Sequence, residues 1–160
     1  MYPQSHFLFS FLIALIFVKF NVFDYRIALL IATLAIFIDI DHFIIYIIKR
    51  KDWSLKDAWN ADVKGRFRHA RTFIHHYLGF ILITILIIVL FFINKTLFWI
   101  FSIGYYSHMF LDYAHLNFLK IKEQTTIKKF GFVEKINKFE LLFDVFLIIG
   151  IALFLLQLFF

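Results

Sequence analysis

The sequence predicts an all-α membrane protein, a single-domain bundle of about five transmembrane helices. The chain has 160 residues, of which 62% are hydrophobic, and its mean hydropathy is +0.84. A soluble domain is only about 45–50% apolar, so lipid must solvate the excess. Because the backbone inside lipid must satisfy its own hydrogen bonds, the apolar segments are predicted to be helices.

Five segments approach the roughly 20 mostly apolar residues that a transmembrane helix needs. No Lys or Arg precedes the first segment and no small-x-small cleavage site follows it, so it is interpreted as a retained helix and not as a signal peptide. The predicted spans are residues 6–20, 27–48, 72–94, 97–118 and 140–160.

Basic residues are concentrated in two of the predicted loops. Eight of the 17 Lys and Arg residues lie between spans two and three, and six lie between spans four and five. Two helices separate these loops, so both lie on one side of the membrane, which the positive-inside rule assigns to the cytoplasm. The sequence therefore predicts a multi-pass protein of the cytoplasmic (inner) membrane with a cytoplasmic N-terminus.

A short amphipathic helix is predicted in the basic loop between spans two and three. Ser54 and Asp57 have the spacing of a capping box, and Trp59, Val63 and Phe67 recur every four residues with cations between them. This pattern is typical of a helix lying in the headgroup region, and a plain basic loop is the alternative. Anionic lipid accounts for the positive charge, so no nucleic-acid partner is expected.

Titratable side chains occur inside the predicted spans, where they are costly. An Asp at the centre of a membrane helix costs about 2.5–3.5 kcal/mol on the insertion scale. Span two contains Asp39, Asp41 and His42. This helix therefore needs polar partners in the bundle or a bound cation.

The spacing places most of the titratable residues of spans two and four on one face of each helix, with Asp41 pointing elsewhere. In span two, three alanines, Asp39 and His42 follow steps of three and four residues, and in span four His108, Asp112 and His115 do the same. The small residues on the same faces permit close helix approach. These two faces are predicted to meet.

The depth of these residues in the membrane agrees between spans. His75 and His76 lie early in span three and Asp144 lies early in span five, whereas the polar residues of spans two and four lie late. At about 1.5 Å per residue, all of them fall within roughly 5–17 Å of the cytoplasmic end. Such a cluster favours a metal site, although a purely structural polar network and a proton or ion pathway are alternatives.

The chain contains no cysteine, so any metal ligands must be imidazoles and carboxylates. Imidazole and carboxylate ligands suit Zn, which is the ion expected first, and they also suit Mn or Fe. Outside the ligand set, His6 is expected to be merely interfacial. The predicted metal ligands are Asp39, His42, His75, His108 and Asp112, and the predicted surrounding residues are His69, His76 and His115.

Three stretches of the chain resemble motifs of the YdjM-like family of membrane-bound metal-dependent hydrolases. Residues 38–42 resemble its D-x-D-H signature, and residues 104–112 resemble its G-x-x-S-H-x-x-x-D helix. Residues 71–75 resemble the Arg-x-x-x-His part of its H-R-G-x-x-H-S stretch. The resemblance implies a metal site and hydrolysis at the inner membrane.

The sequence departs from these motifs at three positions. Ile38 replaces the usual Pro before the first Asp, and Ala70 replaces the His that normally precedes the Arg, with His69 one place earlier. His76 stands where Ser or Asn is usual. The role of His69 is therefore the least supported by the resemblance.

The leading hypothesis is a metal-dependent hydrolase that acts at the cytoplasmic leaflet. Arg71, beside His75, is predicted to hold a phosphate by paired hydrogen bonds, and Asp41 or Asp144 is predicted to act as general base. The expected substrate is a lipid phosphoester or another amphiphile that enters from the bilayer. The alternative is a non-catalytic membrane protein whose cluster binds or conducts a cation or fixes helix packing.

Overall fold

The apolar segments form helices in a computed structural model that describes residues 2–63, 73–118, 125–129, 132–136 and 138–159. The helical fold class is therefore confirmed for the described residues apart from one two-stranded hairpin. In chain order the elements are α1 (Pro3–Lys19), α2 (Tyr25–Phe37), α3 (Ile40–Arg50), α4 (Leu55–Val63), α5 (Tyr77–Ile93), α6 (Lys95–Phe118), β1 (Thr125–Lys129), β2 (Phe132–Ile136) and α7 (Lys138–Phe159).

Helices α1 and α7 run parallel to each other. At their first turns, the Tyr2 amide and the Ser5 hydroxyl donate to the Glu140 carboxylate at 2.6 and 3.1 Å. At their far ends, Lys19 Nζ donates to Gln157 Oε1 at 3.3 Å. The two helices therefore begin at the same end of the bundle.

Helix α6 lies at the centre of the bundle and contacts α1, α2 and α5. It is antiparallel to α1, because Ser10 pairs with Ser107 at 2.6 Å and Phe17 packs on Trp99. Gly104 lies against Ile31 of α2, so α2 and α6 pack closely.

Helix α5 packs against α6 in the opposite direction. The Tyr106 hydroxyl donates to Thr84 Oγ1 at 3.0 Å, and Phe91 packs edge-on against Phe98 nearer the beginning of α6. Helices α1, α5 and α7 thus run in one direction. Helices α2 and α6 run in the other, because Gly104 lies against Ile31 and His108 contacts Ala35.

Two helical segments in the described part of the chain are long and apolar enough to cross a membrane. They are Tyr25–Arg50, which contains α2 and α3, and Lys138–Gln157 in α7. Two shorter apolar helices, Pro3–Lys19 and Tyr77–Ile93, have 17 residues each. The prediction of five spans is thus not confirmed, although helices occupy all five predicted positions.

The predicted second span is interrupted, which the sequence analysis did not foresee. α2 ends at Phe37 and α3 begins at Ile40. At the break, the Asp39 amide donates to the Ile36 carbonyl and the His42 amide donates to the Asp39 carbonyl, each three residues back. The regular pattern of bonds to the fourth residue back is therefore lost at Asp39.

The short helix predicted after span two is present as α4. The Asp57 amide donates to Ser54 Oγ at 3.2 Å, which is one half of the predicted capping box. The predicted apolar face differs from the packed one, because Ala58 and Ala61 pack against Tyr46 of α3. Phe67 lies outside the described residues, and the location of α4 in the headgroup region stays a prediction.

A two-stranded hairpin between α6 and α7 was not predicted. Strands β1 and β2 are antiparallel, with Thr125 opposite Ile136 and Lys129 opposite Phe132. The sequence does carry a signal for it, because β-branched residues lie on both sides of Gly131. The lysines of the two strands obscure this signal.

Gly79 is expected to be essential for the turn that precedes α5. A Cβ atom at this position would overlap the backbone carbonyl oxygen of Phe73, so Gly79→Ala must displace the turn. We expect a loss of about 1–3 kcal/mol in the free energy of unfolding, measured by thermal unfolding in detergent. Gly150→Ala is the matched control, because its Cβ would meet only Leu12 at 3.6 Å. Equal stability of both variants would contradict this description of the turn.

Candidate metal centre

Two histidines and two aspartates from three parts of the chain converge at one end of the bundle. Asp39 lies at the break between α2 and α3, His75 lies just before α5, and His108 and Asp112 lie one turn apart in α6. One ligand atom from each side chain lies within 4.8 Å of one ligand atom from every other. The structure therefore brings together four of the five predicted metal ligands.

The distances within this cluster match those between ligands of a tetrahedral metal ion. His75 Nε2 lies 3.2 Å from His108 Nε2 and 3.4 Å from Asp112 Oδ2. His108 Nε2 lies 3.4 Å from Asp39 Oδ1 and 3.5 Å from Asp112 Oδ2, and His75 Nε2 lies 3.8 Å from Asp39 Oδ1. Ligand atoms about 2.0–2.2 Å from a zinc ion are about 3.4 Å apart in a tetrahedron.

The charge of the cluster also suits a divalent cation. The two carboxylates, when ionised, carry two negative charges and the neutral imidazoles carry none, so one divalent ion balances the set. Imidazole and carboxylate donors suit Zn, Mn and Fe. The donor set thus fits a metal ion in both geometry and charge.

The break between α2 and α3 positions two members of the cluster. The side chain of Asp39 does not cap α3, which leaves its carboxylate facing His108. Because the Asp39 amide donates to Ile36, the Ala35 carbonyl lacks its usual helical donor and accepts from His108 Nδ1 at 2.8 Å. This bond places the proton on Nδ1 and directs Nε2 into the cluster.

His75 is held in a similar way by a carboxylate. Its Nδ1 lies 3.2 Å from Asp41 Oδ2, so Nε2 points to the other ligands. Metal-ligating histidines usually donate their second N–H to a carboxylate or backbone carbonyl, which fixes the ring orientation. His75 and His108 both follow this pattern. Asp41 therefore lies where it can orient His75.

The turn that carries His75 is tied to α6. The His76 amide donates to the Phe73 carbonyl, and the Tyr105 hydroxyl donates to the Ile74 carbonyl at 3.0 Å. These bonds hold the backbone on both sides of His75. The span predicted to begin at residue 72 thus begins as a helix only at Tyr77.

The structure distinguishes His75 from His76. His75 faces the cluster, whereas the His76 side chain accepts a hydrogen bond from the Leu78 amide at 3.4 Å and caps α5. His76 is therefore placed outside the cluster, contrary to its predicted position beside the ligands.

His6 contacts two members of the cluster, a contact that was not predicted from the sequence. It is fully buried in α1, and its ring stacks on His108 with centroids 4.1 Å apart. Its Nε2 lies 3.3 Å from Asp112 Oδ1, yet neither ring nitrogen has a partner with hydrogen-bond geometry among the described residues. The expectation of a merely interfacial His6 was wrong.

A sequence signal for His6 exists. His6, Ser10 and Ala14 follow steps of four residues, the same spacing of polar and small residues as in the other spans. Ser10 and Ala14 are both buried. Because His6 lies near the end of its span, a contact with the lipid headgroups was the simpler interpretation.

The remaining predicted residues have varied positions. His42 lies beside the cluster, with Nε2 3.9 Å from both Asp39 Oδ1 and Asp41 Oδ1. Asp144 is buried near Ser5 and belongs to neither group of ligands that the described residues form. Arg71 and His69 lie outside the described residues, as does the side chain of His115.

Comparison with known proteins gives one match. The family model of the YdjM inner membrane protein matches residues 1–117, which include α1 to α5 and nearly all of α6. No curated protein and no solved structure matches the chain.

Removing the hydroxyl that holds the His75 turn is expected to weaken metal binding. Tyr105→Phe loses the bond to the Ile74 carbonyl, whereas the control Tyr106→Phe loses only the bond to Thr84. Each variant should lose about 0.5–1.5 kcal/mol of stability. Only Tyr105→Phe should bind Zn²⁺ more weakly in titration calorimetry, and equal affinities in the two variants would contradict a role for Tyr105 in positioning His75.

Proposed function

The chain belongs to the YdjM inner membrane protein family, and from this premise we propose that it is a metal-dependent hydrolase of the inner membrane. The observation that carries the proposal is the cluster of Asp39, His75, His108 and Asp112, which has the separations and charge of a metal site. Zinc is the ion proposed first, because the separations fit its tetrahedral coordination.

A bound divalent ion activates water near neutral pH, which is the chemistry that hydrolysis needs. The residues of the chain would hold and orient the centre. His108 is fixed by the Ala35 carbonyl and His75 by Asp41. We therefore propose that Asp41 orients His75, in place of the role of general base predicted from the sequence. The position of Asp144 does not support a role as base.

The proposed substrate is a lipid phosphoester or a similar amphiphile at the cytoplasmic leaflet. An apolar groove of about 490 Å³ lies between α1 and α6. Its lining includes Ser107 and Phe110, which flank His108 in the sequence of α6. A groove of this kind suits a hydrocarbon chain next to the polar cluster, and Arg71 is proposed to bind the phosphate.

A non-catalytic role is the second candidate. The His and Asp side chains contact each other directly, as in the 3.4 Å approach of His75 to Asp112. Such contacts between helices are also found in polar networks that fix helix packing. In that case the cluster would bind or conduct a cation, or fix helix packing, and would not hydrolyse a substrate.

We further propose that all five predicted spans cross the membrane, with the beginning of α1 on the cytoplasmic side. The helix directions support this topology, because they bring four polar residues to the same end of the bundle. These residues are His6, Asp39, His75 and Asp112. The 17-residue helices α1 and α5 are about 26 Å long at 1.5 Å per residue. The hydrocarbon core is about 30 Å thick, so local thinning or flanking residues would cover the difference.

Loss of one cluster ligand is expected to release the metal. Purified protein should contain at least one divalent ion per chain by elemental analysis, and His108→Ala and Asp112→Asn should lower its Zn²⁺ affinity at least about 10-fold. His76→Ala is the matched control and should keep the ion. Because protons compete for the ligands, the ion should also dissociate as the pH falls. Unchanged metal content in His108→Ala would contradict the ligand assignment.

The hydrolase proposal is tested by product release. Protein in vesicles that contain phospholipid should release a water-soluble phosphate ester or phosphate, and chelation should stop the release. His108→Ala should lower the rate by at least about 10²-fold, whereas His76→Ala should not. Metal-loaded protein that releases no product from any lipid phosphoester supports the non-catalytic role.

The proposed topology is tested with single cysteines, because the natural chain contains none. Lys95→Cys lies at the first residue of α6, next to the end of α5, and should react in intact cells with a thiol reagent that does not cross the membrane. Lys56→Cys lies in α4 and should react only after the cells are opened. Both positions are exposed, so a reversed pattern would overturn the orientation.

A further inference from the structure

A second group of possible ligands lies beside the four-residue cluster. Asp41, His42 and His75 also offer ligand atoms that all lie within 4.8 Å of one another. Asp41 and His42 come from the first turn of α3, directly after Asp39. The break between α2 and α3 thus supplies Asp39 to the first group of ligands and Asp41 to the second.

One oxygen of the Asp41 carboxylate makes no hydrogen bond within the described part of the chain. Asp41 is 92% buried, and while its Oδ2 faces His75, its Oδ1 has no hydrogen-bond partner among the described residues. A buried carboxylate oxygen without a partner is costly, by about 1–3 kcal/mol or more for a charged group. This oxygen points towards His42, whose Nε2 lies 3.9 Å away.

His42 faces both aspartates of the D-x-D-H stretch. Its Nε2 is 3.9 Å from Asp39 Oδ1 as well as from Asp41 Oδ1. Two ligands of one ion are at most about 4.4 Å apart when each lies about 2.0–2.2 Å from the metal. The His42 side chain is 33% exposed, so its place is at the open edge of the cluster.

We propose that Asp41 Oδ1 and His42 Nε2 hold a second divalent cation, with Asp39 as the carboxylate shared between the two ions. This proposal rests on the proposed metal centre and adds a second ion to it. Asp41 would then serve both ions, because Oδ2 orients His75 for the first ion while Oδ1 binds the second. No protein group needs to move far, since the partly exposed imidazole of His42 can adjust.

The second site defines the class of substrate more closely. Its few protein ligands leave open coordination positions at the edge of the cluster, where an anionic group can bind. Pairs of metal ions about 3.5–4 Å apart are found in phosphatases and nucleases, where they stabilise the attacking and leaving oxygens. A two-ion centre therefore favours a phosphoester over a carboxylic ester as the substrate.

The test counts manganese ions and measures their coupling. Chelated protein in detergent is loaded with Mn²⁺, freed of excess ion and examined by elemental analysis and electron paramagnetic resonance. The wild type should hold two ions per chain with a spin-coupled spectrum. His42→Ala should hold one ion with an uncoupled six-line spectrum, and the control His76→Ala should match the wild type.

Asp41→Asn provides a second variant and should also lose the coupled spectrum. A wild type that holds one ion, lost in His108→Ala, would overturn the second site and leave the first centre intact. Retention of the coupled spectrum in His42→Ala would also overturn it. A chain that binds no Mn²⁺ or Zn²⁺ would overturn both the second site and the proposed metal centre.

Discussion

A titratable side chain within an apolar bundle must find its partners inside the protein, because lipid offers none. In this chain that requirement is met collectively, since the imidazoles and carboxylates of several helices contact each other at one end of the bundle. No helix could bury its own polar residues alone. The order and direction of the helices around α6 are those that bring His6, Asp39 and His75 to His108.

The helix positions and most of the cluster could be predicted from the sequence, because both follow from periodicity. A stretch of apolar residues defines a span, and steps of three and four residues define its polar face. The contacts of His6 were missed because a polar side chain near the end of a span can be solvated by the lipid headgroups without any partner in the protein. The hairpin was missed because its lysines obscure a short segment that contains several β-branched residues.

The break at Asp39 could not be predicted from local signals. Residues 36–40 contain neither Pro nor Gly, the residues that usually interrupt a helix. The interruption is explained only by contacts with other helices, because His108 takes the Ala35 carbonyl and the Asp39 carboxylate faces the same imidazole. Likewise, the choice of His75 over His76 depends on a turn whose bonds come from Tyr105 of α6. Such long-range contacts leave no trace in a single sequence.

The freed carbonyl of Ala35 has a consequence for how the protein matures. Membrane helices are inserted before they associate, so the segment containing α2 enters the bilayer while α6 is still being made. Until α6 docks, the contacts that explain the break are absent, so the Asp39 amide can donate to that carbonyl as in a regular helix. The cluster of imidazoles and carboxylates therefore forms only when α6 packs against α2, and no single inserted helix carries it.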